Sequence, residues 1–68
     1  MRIINQLGNR AIEASLYDIT LDERRIFAEC STKSYLLGEY KTEERAEEVF
    51  NWIFKDCNRF GTIKMPED

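Results

Sequence analysis

The residues best suited to chemistry in this sequence are cations and aromatic rings in its first forty positions. Basic side chains alternate there with tyrosines and a phenylalanine. Arginine binds phosphate or carboxylate through paired hydrogen bonds, and a planar base stacks on an aromatic ring. These residue types predict a site for a ligand that carries both a phosphate and a base. Its candidate binding residues are Arg2, Arg10, Arg24, Arg25, Lys33, Tyr35 and Tyr40.

Each candidate residue can instead have a purely structural role, and the sequence does not decide between the two. The arginines can form surface ion pairs with acidic neighbours such as Asp18, Asp22, Glu23 and Glu39, and such pairs contribute little to stability. The aromatic rings can simply pack in the core.

Catalytic chemistry has little support in the sequence. The chain has no histidine, the commonest general base and metal ligand. Gly8, Gly38 and Gly61 are isolated, so they form no phosphate-binding loop. Cys30 and Cys57 lie outside any CxxC pattern and are predicted to be small buried residues rather than a zinc site or a disulfide. We therefore expect a binding protein with no cofactor and no metal, and not an enzyme.

Size and charge narrow the possible partners. The chain has 68 residues, a net charge of -3 and 43% hydrophobic residues, which predicts one small folded domain over 1–68. An acidic balance argues against DNA or RNA as a partner. No apolar run is long enough for a membrane helix or a signal peptide, so we expect a cytoplasmic protein with no membrane partner. A domain this small has no interior room for a ligand, so a ligand site shared within a homo-oligomer is expected.

Hydrophobic periodicity divides the chain into a β-rich part at 1–40, a helix at 42–60 and a short tail or edge strand at 61–68. Gly8 and Asn9 suit a tight turn after the first strand. The segments 24–30 and 35–40 alternate apolar and polar residues around a polar turn, which predicts a hairpin. A strand is also predicted at 11–16, with Leu16 on its apolar side.

The helix is marked at both ends. Thr42 suits the N-cap, and Gly61 suits a left-handed closing residue. One apolar stripe is formed by Ala46, Val49, Phe50, Ile53, Cys57 and Phe60.

A helix with such a stripe must lie on a sheet, which predicts an α+β fold: a small antiparallel β-sheet with one C-terminal α-helix packed on it. The expected core is Ile3, Ile12, Ile19, Ile26, Ala28, Leu37, Val49, Phe50 and Ile53. Trp52 and Phe54 flank Ile53 on opposite sides, so one sheet cannot easily cover both. At least one of them is expected at an interface with another subunit or partner, and packing on loop edges is the alternative.

Three segments of the chain resemble small accessory proteins of phages and prophages of Gram-positive bacteria. They are residues 1–6 with Gly8, residues 37–46, and residues 65–68. The resemblance implies a phage-encoded protein in a bacterial host cytoplasm and supplies no catalytic residues.

Proteins of that kind often act as stoichiometric inhibitors of host defence, which gives three hypotheses. An oligomer sequesters a nucleotide signal of host immunity, with arginines on phosphates and tyrosines on bases. Alternatively, a face with Trp52, Phe54 and the acidic helix blocks a host protein. The third hypothesis is an assembly or regulatory partner within the phage's own programme.

Overall fold

A computed structural model describes residues 1–55 and 61–68. The described residues form strands and one helix in an α+β arrangement, which confirms the predicted fold class. In chain order they are β1 (Arg2–Ile4), β2 (Ala11–Glu13), β3 (Asp18–Asp22), β4 (Arg25–Glu29), β5 (Ser34–Glu39), α1 (Glu43–Lys55) and β6 (Thr62–Lys64).

The strands form two sheets of three strands rather than the single antiparallel sheet that was expected. Sheet A has the order β2-β1-β6, and sheet B has the order β3-β4-β5. The short strand predicted in the tail is β6, at an edge of sheet A, but it pairs with β1 in parallel. A parallel pair needs a long connection, and here the rest of the chain, including α1, provides it.

The predicted hairpin is confirmed by the antiparallel pairing of β4 and β5. The strand expected at 11–16 is wrong in its second half. Strand β2 ends at Glu13 and a single 3₁₀ turn follows at Ala14–Leu16, so Leu16 is 70% exposed instead of facing the core. The tight turn near Gly8 is confirmed, because Gly8 has a φ of +80° and donates its N–H to the carbonyl of Asn5.

A one-residue bulge interrupts the alternation of β5. Leu36 pairs with Phe27 and Gly38 pairs with Ile26, so Leu37 is an extra residue between the two pairs. A bulge leaves consecutive residues on the same side of a strand. Leu37 and Gly38 are both buried as a result, while Leu36 on one side and Glu39 on the other point to solvent.

Helix α1 begins as the sequence predicts. The Thr42 hydroxyl accepts the N–H of Arg45 at 3.0 Å, and Glu43 and Glu44 lie in the first turn, where carboxylates favour the positive end of the helix dipole. The predicted helix runs to residue 60, but residues 56–60, with Cys57 and Phe60 of the predicted stripe, lie outside the described residues. Gly61 has a φ of +109°, in the left-handed region expected for it.

The core lies between the two sheets and α1. Ile3, Ile12, Ile26, Ala28, Leu37, Val49 and Ile53 are buried as expected, together with Tyr40, Ala46 and Met65. Ile19 and Phe50 are only partly buried.

Cys30 is exposed, so its predicted burial is wrong. Strand β4 ends at Glu29, which places Cys30 in the turn that follows, beyond the edge of the core. Hydrogen bonding from the Thr32 backbone N–H lowers the pKa of the Cys30 thiol.

Candidate functional site

The predicted ligand residues do not form one cluster within a single chain. The described structure brings Arg10 and Tyr35 together. Arg24 and Arg25 lie at the other end of the β4–β5 hairpin, and Arg2 lies in sheet A. Lys33 belongs to the turn that precedes β5. A single copy therefore offers separate sites rather than one shared cleft.

Arg10 and Tyr35 form a stacked cation–π pair. The guanidinium carbon of Arg10 lies 4.1 Å from the centre of the Tyr35 ring. The ring of Tyr17 meets Tyr35 edge-on at 5.9 Å, which adds a third member. Arg10 is exposed, and among the described residues no carboxylate lies within ion-pair distance of it. We call Arg10, Tyr17 and Tyr35 the stacked cluster.

Asn5 holds the turn that carries Arg10 to Tyr35. Its side-chain oxygen accepts the backbone N–H groups of Asn9 and Arg10 at 3.0 and 3.2 Å, and its Nδ2 donates to the Asn9 side chain. Asn5 is 7% exposed. Sequence reasoning missed this role, because an asparagine beside a turn is common and Tyr35, the residue that Arg10 contacts, is distant in sequence.

The remaining predicted cations have structural neighbours. The Nε atom of Arg25 lies 3.2 Å from a carboxylate oxygen of Glu39, the surface ion pair that the alternative interpretation expected. Arg2 lies opposite Glu13 across the β1–β2 pair. The hydrogen bond from the N-terminal ammonium lowers the pKa of Glu13, and the charge of Arg2 adds to this lowering.

Arg24 lines an open surface groove of about 570 Å³ at the start of α1. Lys41 lies in the same groove, but so do Glu43, Glu44 and Glu47. The three carboxylates oppose the binding of a phosphate there.

Tyr40 is not available to a ligand, and its assignment to the binding residues was wrong. The side chain is 2% exposed, and its hydroxyl donates to the Pro66 carbonyl at 2.8 Å. Burial raises the pKa of Tyr40 to about 12. A ring covered on all sides packs in the core instead of stacking on a base.

The three segments that carry the phage-protein resemblance meet around Tyr40. The Gln6 side chain accepts the Glu39 N–H at 2.9 Å and donates to the Pro66 carbonyl at 3.2 Å. The carboxylate of Asp68 accepts the Lys41 N–H. We call this region the motif junction; its members are Gln6, Gly38, Tyr40, Pro66 and Asp68. The Asp68 carboxylate also lies 4.0 Å from the Arg45 guanidinium, although the residue is exposed.

The two aromatic residues predicted at an interface lie on opposite flanks of α1. Phe54 is 51% exposed and packs edge-on against Phe50 at 5.0 Å. Trp52 is half-buried and lines an open groove of about 430 Å³ with Arg45, Glu48, Val49 and Pro66. Phe54 thus leaves an apolar ring in solvent, as the interface hypothesis requires of one of the two.

Comparison with protein-family models, curated proteins and solved structures found no match to this chain. Within the described ranges, no group of three or more metal-ligating side chains is close enough to hold an ion. In the same ranges, no helix has the length and apolar character needed to cross a bilayer.

Proposed function

We propose that this protein is an accessory protein of a phage or prophage that acts in the bacterial cytoplasm as a stoichiometric binder. Its ligand is a nucleotide signal of host defence, which it sequesters without turnover. The acidic net charge of -3 disfavours long nucleic acids but leaves room for a small nucleotide at a local cation.

The stacked cluster is the observation that supports this proposal. One face of the Arg10 guanidinium lies against Tyr35, so the opposite face is free to stack on a base. The N–H groups at the rim of the guanidinium are suited to phosphate oxygens. One guanidinium on one ring is a small site, and a second copy of the chain would supply the further contacts that a tight complex requires.

A thermal-shift experiment with a panel of cyclic nucleotides and ADP-ribose derivatives tests the proposal. A ligand present at about 100 times its Kd stabilises the folded state by about 2.7 kcal/mol, which raises the melting temperature by several degrees. We expect Arg10→Gln to abolish that shift and Lys55→Gln, which removes an exposed cation on α1, to preserve it. An unchanged melting temperature with every nucleotide of the panel would contradict the proposal. Consumption of a nucleotide during incubation would show that the protein is an enzyme instead.

Native mass spectrometry of the protein from an infected host tests the oligomer. Sequestration predicts an assembly larger than one chain that carries a bound nucleotide. A monomer without ligand, from a host in which the defence signal is being made, contradicts it.

The second candidate function is inhibition of a host protein, and the exposed Phe54 ring favours it. Aromatic residues are enriched at the centre of protein interfaces. Under this hypothesis, Phe54→Ser abolishes co-purification of one bacterial protein and leaves the melting temperature within a few degrees. The matched control is Leu7→Ser, which removes a residue that is 84% exposed and lies outside α1.

A further inference from the structure

The solvent side of sheet B forms a surface that the proposed nucleotide site does not use. Strand register places Thr20, Phe27 and Leu36 in one row across β3, β4 and β5. All three lie on the side opposite the buried Ile26 and Ala28. Leu36 is 45% exposed, and Phe27 is partly exposed. We call this row and the charged residues on either side of it the outer face.

Carboxylates flank the apolar row on both sides, toward the two ends of the strands. Asp18 and Glu29 pair across β3 and β4 on one side of the row, and Asp22 and Glu39 lie on the other side. Arg25 is the one cation that register places among them, and it is ion-paired with Glu39. Four carboxylates and one guanidinium give the outer face a local charge near -3.

Asp18 lies directly opposite Glu29, and the Glu29 carboxylate accepts a hydrogen bond from the Ser34 hydroxyl at 3.3 Å. Like charges directly opposite each other on neighbouring strands are destabilising by a few tenths of a kcal/mol. Among the described residues, neither carboxylate has a cation within ion-pair distance. A cation supplied by a partner would be attracted by both carboxylates and would offset their mutual repulsion.

We propose that the outer face binds a partner protein through a cationic segment with an apolar anchor. Leu36 and Phe27 receive the anchor, and the carboxylates of Asp18 and Glu29 receive lysine or arginine from the partner. The flanking carboxylates lie two or three residues from the apolar row, within ~8 Å or one Debye length. A partner's cation and its apolar side chain can therefore bind at the same time. A second copy is a poor occupant, because face-to-face pairing would bring two surfaces of the same negative charge together.

A synthetic probe peptide tests this surface. A short fluorescent peptide that alternates lysine with leucine is titrated with the protein, and its counterpart with glutamate in place of lysine serves as the charge control. We expect the lysine peptide to bind, with an affinity that falls as salt is raised, and the glutamate peptide not to bind. In NMR spectra, amide shifts should be confined to β3, β4 and β5. Equal binding of the two peptides, or shifts centred on α1, would overturn the proposal.

Variants with matched controls locate the binding surface. Leu36→Ser should weaken binding of the lysine peptide about tenfold, as expected for the most exposed apolar contact of the row, whereas Leu16→Ser, which changes an exposed leucine outside the outer face, should not. Asp18→Asn should weaken it roughly two- to fivefold, and Glu47→Gln on α1 should leave it unchanged. Equal effects of each variant and its control would contradict the proposal.

Two further results separate this surface from its alternatives. Arg10→Gln should leave peptide binding intact, so loss of the nucleotide site and loss of the outer face are distinguishable. Concentration-dependent shifts at Leu36 and Phe27 without peptide, together with a dimer by light scattering, would assign the outer face to a second copy and overturn the proposal.

Discussion

The motif junction and the outer face differ in how many of their polar and apolar groups find a partner within the chain. In the motif junction, Gln6, Tyr40 and Asp68 each have a hydrogen-bond partner from a distant segment. On the outer face, Leu36 is half exposed and Asp18 lies opposite another carboxylate. The contacts of the motif junction are therefore explained by folding alone, whereas the outer face keeps an exposed leucine and two carboxylates without an ion-pair partner among the described residues.

Gly38→Ala should have the largest effect on stability. A Cβ atom at this position would lie 2.9 Å from the Tyr40 hydroxyl and 3.1 Å from its ring. Because the ring is buried, we expect a loss of about 2–3 kcal/mol in the free energy of unfolding, measured by urea denaturation. Adding Tyr40→Phe, which removes the nearest atom, should recover part of the loss. A loss below about 0.5 kcal/mol would show that the motif junction is loosely packed.

Gln6→Met should have the next largest effect. The substitution keeps the size of the side chain but removes both of its hydrogen bonds, to the Glu39 N–H and the Pro66 carbonyl. We expect a loss of about 1–2 kcal/mol by the same measurement. An unchanged denaturation midpoint would mean that water replaces both partners at no cost.

Tyr40 should make stability depend on alkaline pH. Its pKa is about 12 in the fold and about 10 in the unfolded chain, so folding favours the neutral hydroxyl. This contribution is complete below pH 10 and is lost as the pH rises toward 12. Tyr40→Phe should lower stability by about 1 kcal/mol at pH 7 and flatten the decline above pH 10. Urea denaturation at pH 7, 9 and 11 measures both effects, and an equally steep decline in the variant would assign it to other groups.

Asp18→Asn should have the smallest effect, with the opposite sign. Removing one of two facing carboxylates relieves repulsion with Glu29, so we expect a gain of up to about 0.5 kcal/mol. The gain should shrink in high salt, because the charges are exposed. A clear loss of stability would show that Asp18 has a structural role, and the contrast between the two regions would weaken.

Local patterns were enough to predict most of the elements, although not the 3₁₀ turn at Ala14–Leu16. The Thr42 cap, the alternation of β4 and the apolar stripe of α1 each depend on residues a few positions apart, and the described residues show the cap, that alternation and the stripe as far as Ile53. The Leu37 bulge escaped prediction because it changes no residue type. It only shifts the pairing by one position, which the sequence of one strand does not reveal.

The candidate site was less predictable because its contacts join distant segments. Tyr40 is of a residue type that can stack on a base, and only its position against Gly38 and Pro66 shows that it belongs to the core. Arg10 meets Tyr35 because Asn5 fixes the intervening turn, and neither spacing nor charge announces this pairing. Cys30 fits the alternation of β4 but lies one residue past the end of the strand.

The parallel pair of β1 and β6 has a consequence for folding during synthesis. Sheet A has β1 at its centre, so a strand at residues 2–4 is completed by one at residues 62–64, which is synthesised much later. Sheet B, built from neighbouring hairpins, has only short loops to close. A nascent chain can therefore form sheet B first. One edge of β1 stays unpaired until residues 62–64 leave the ribosome.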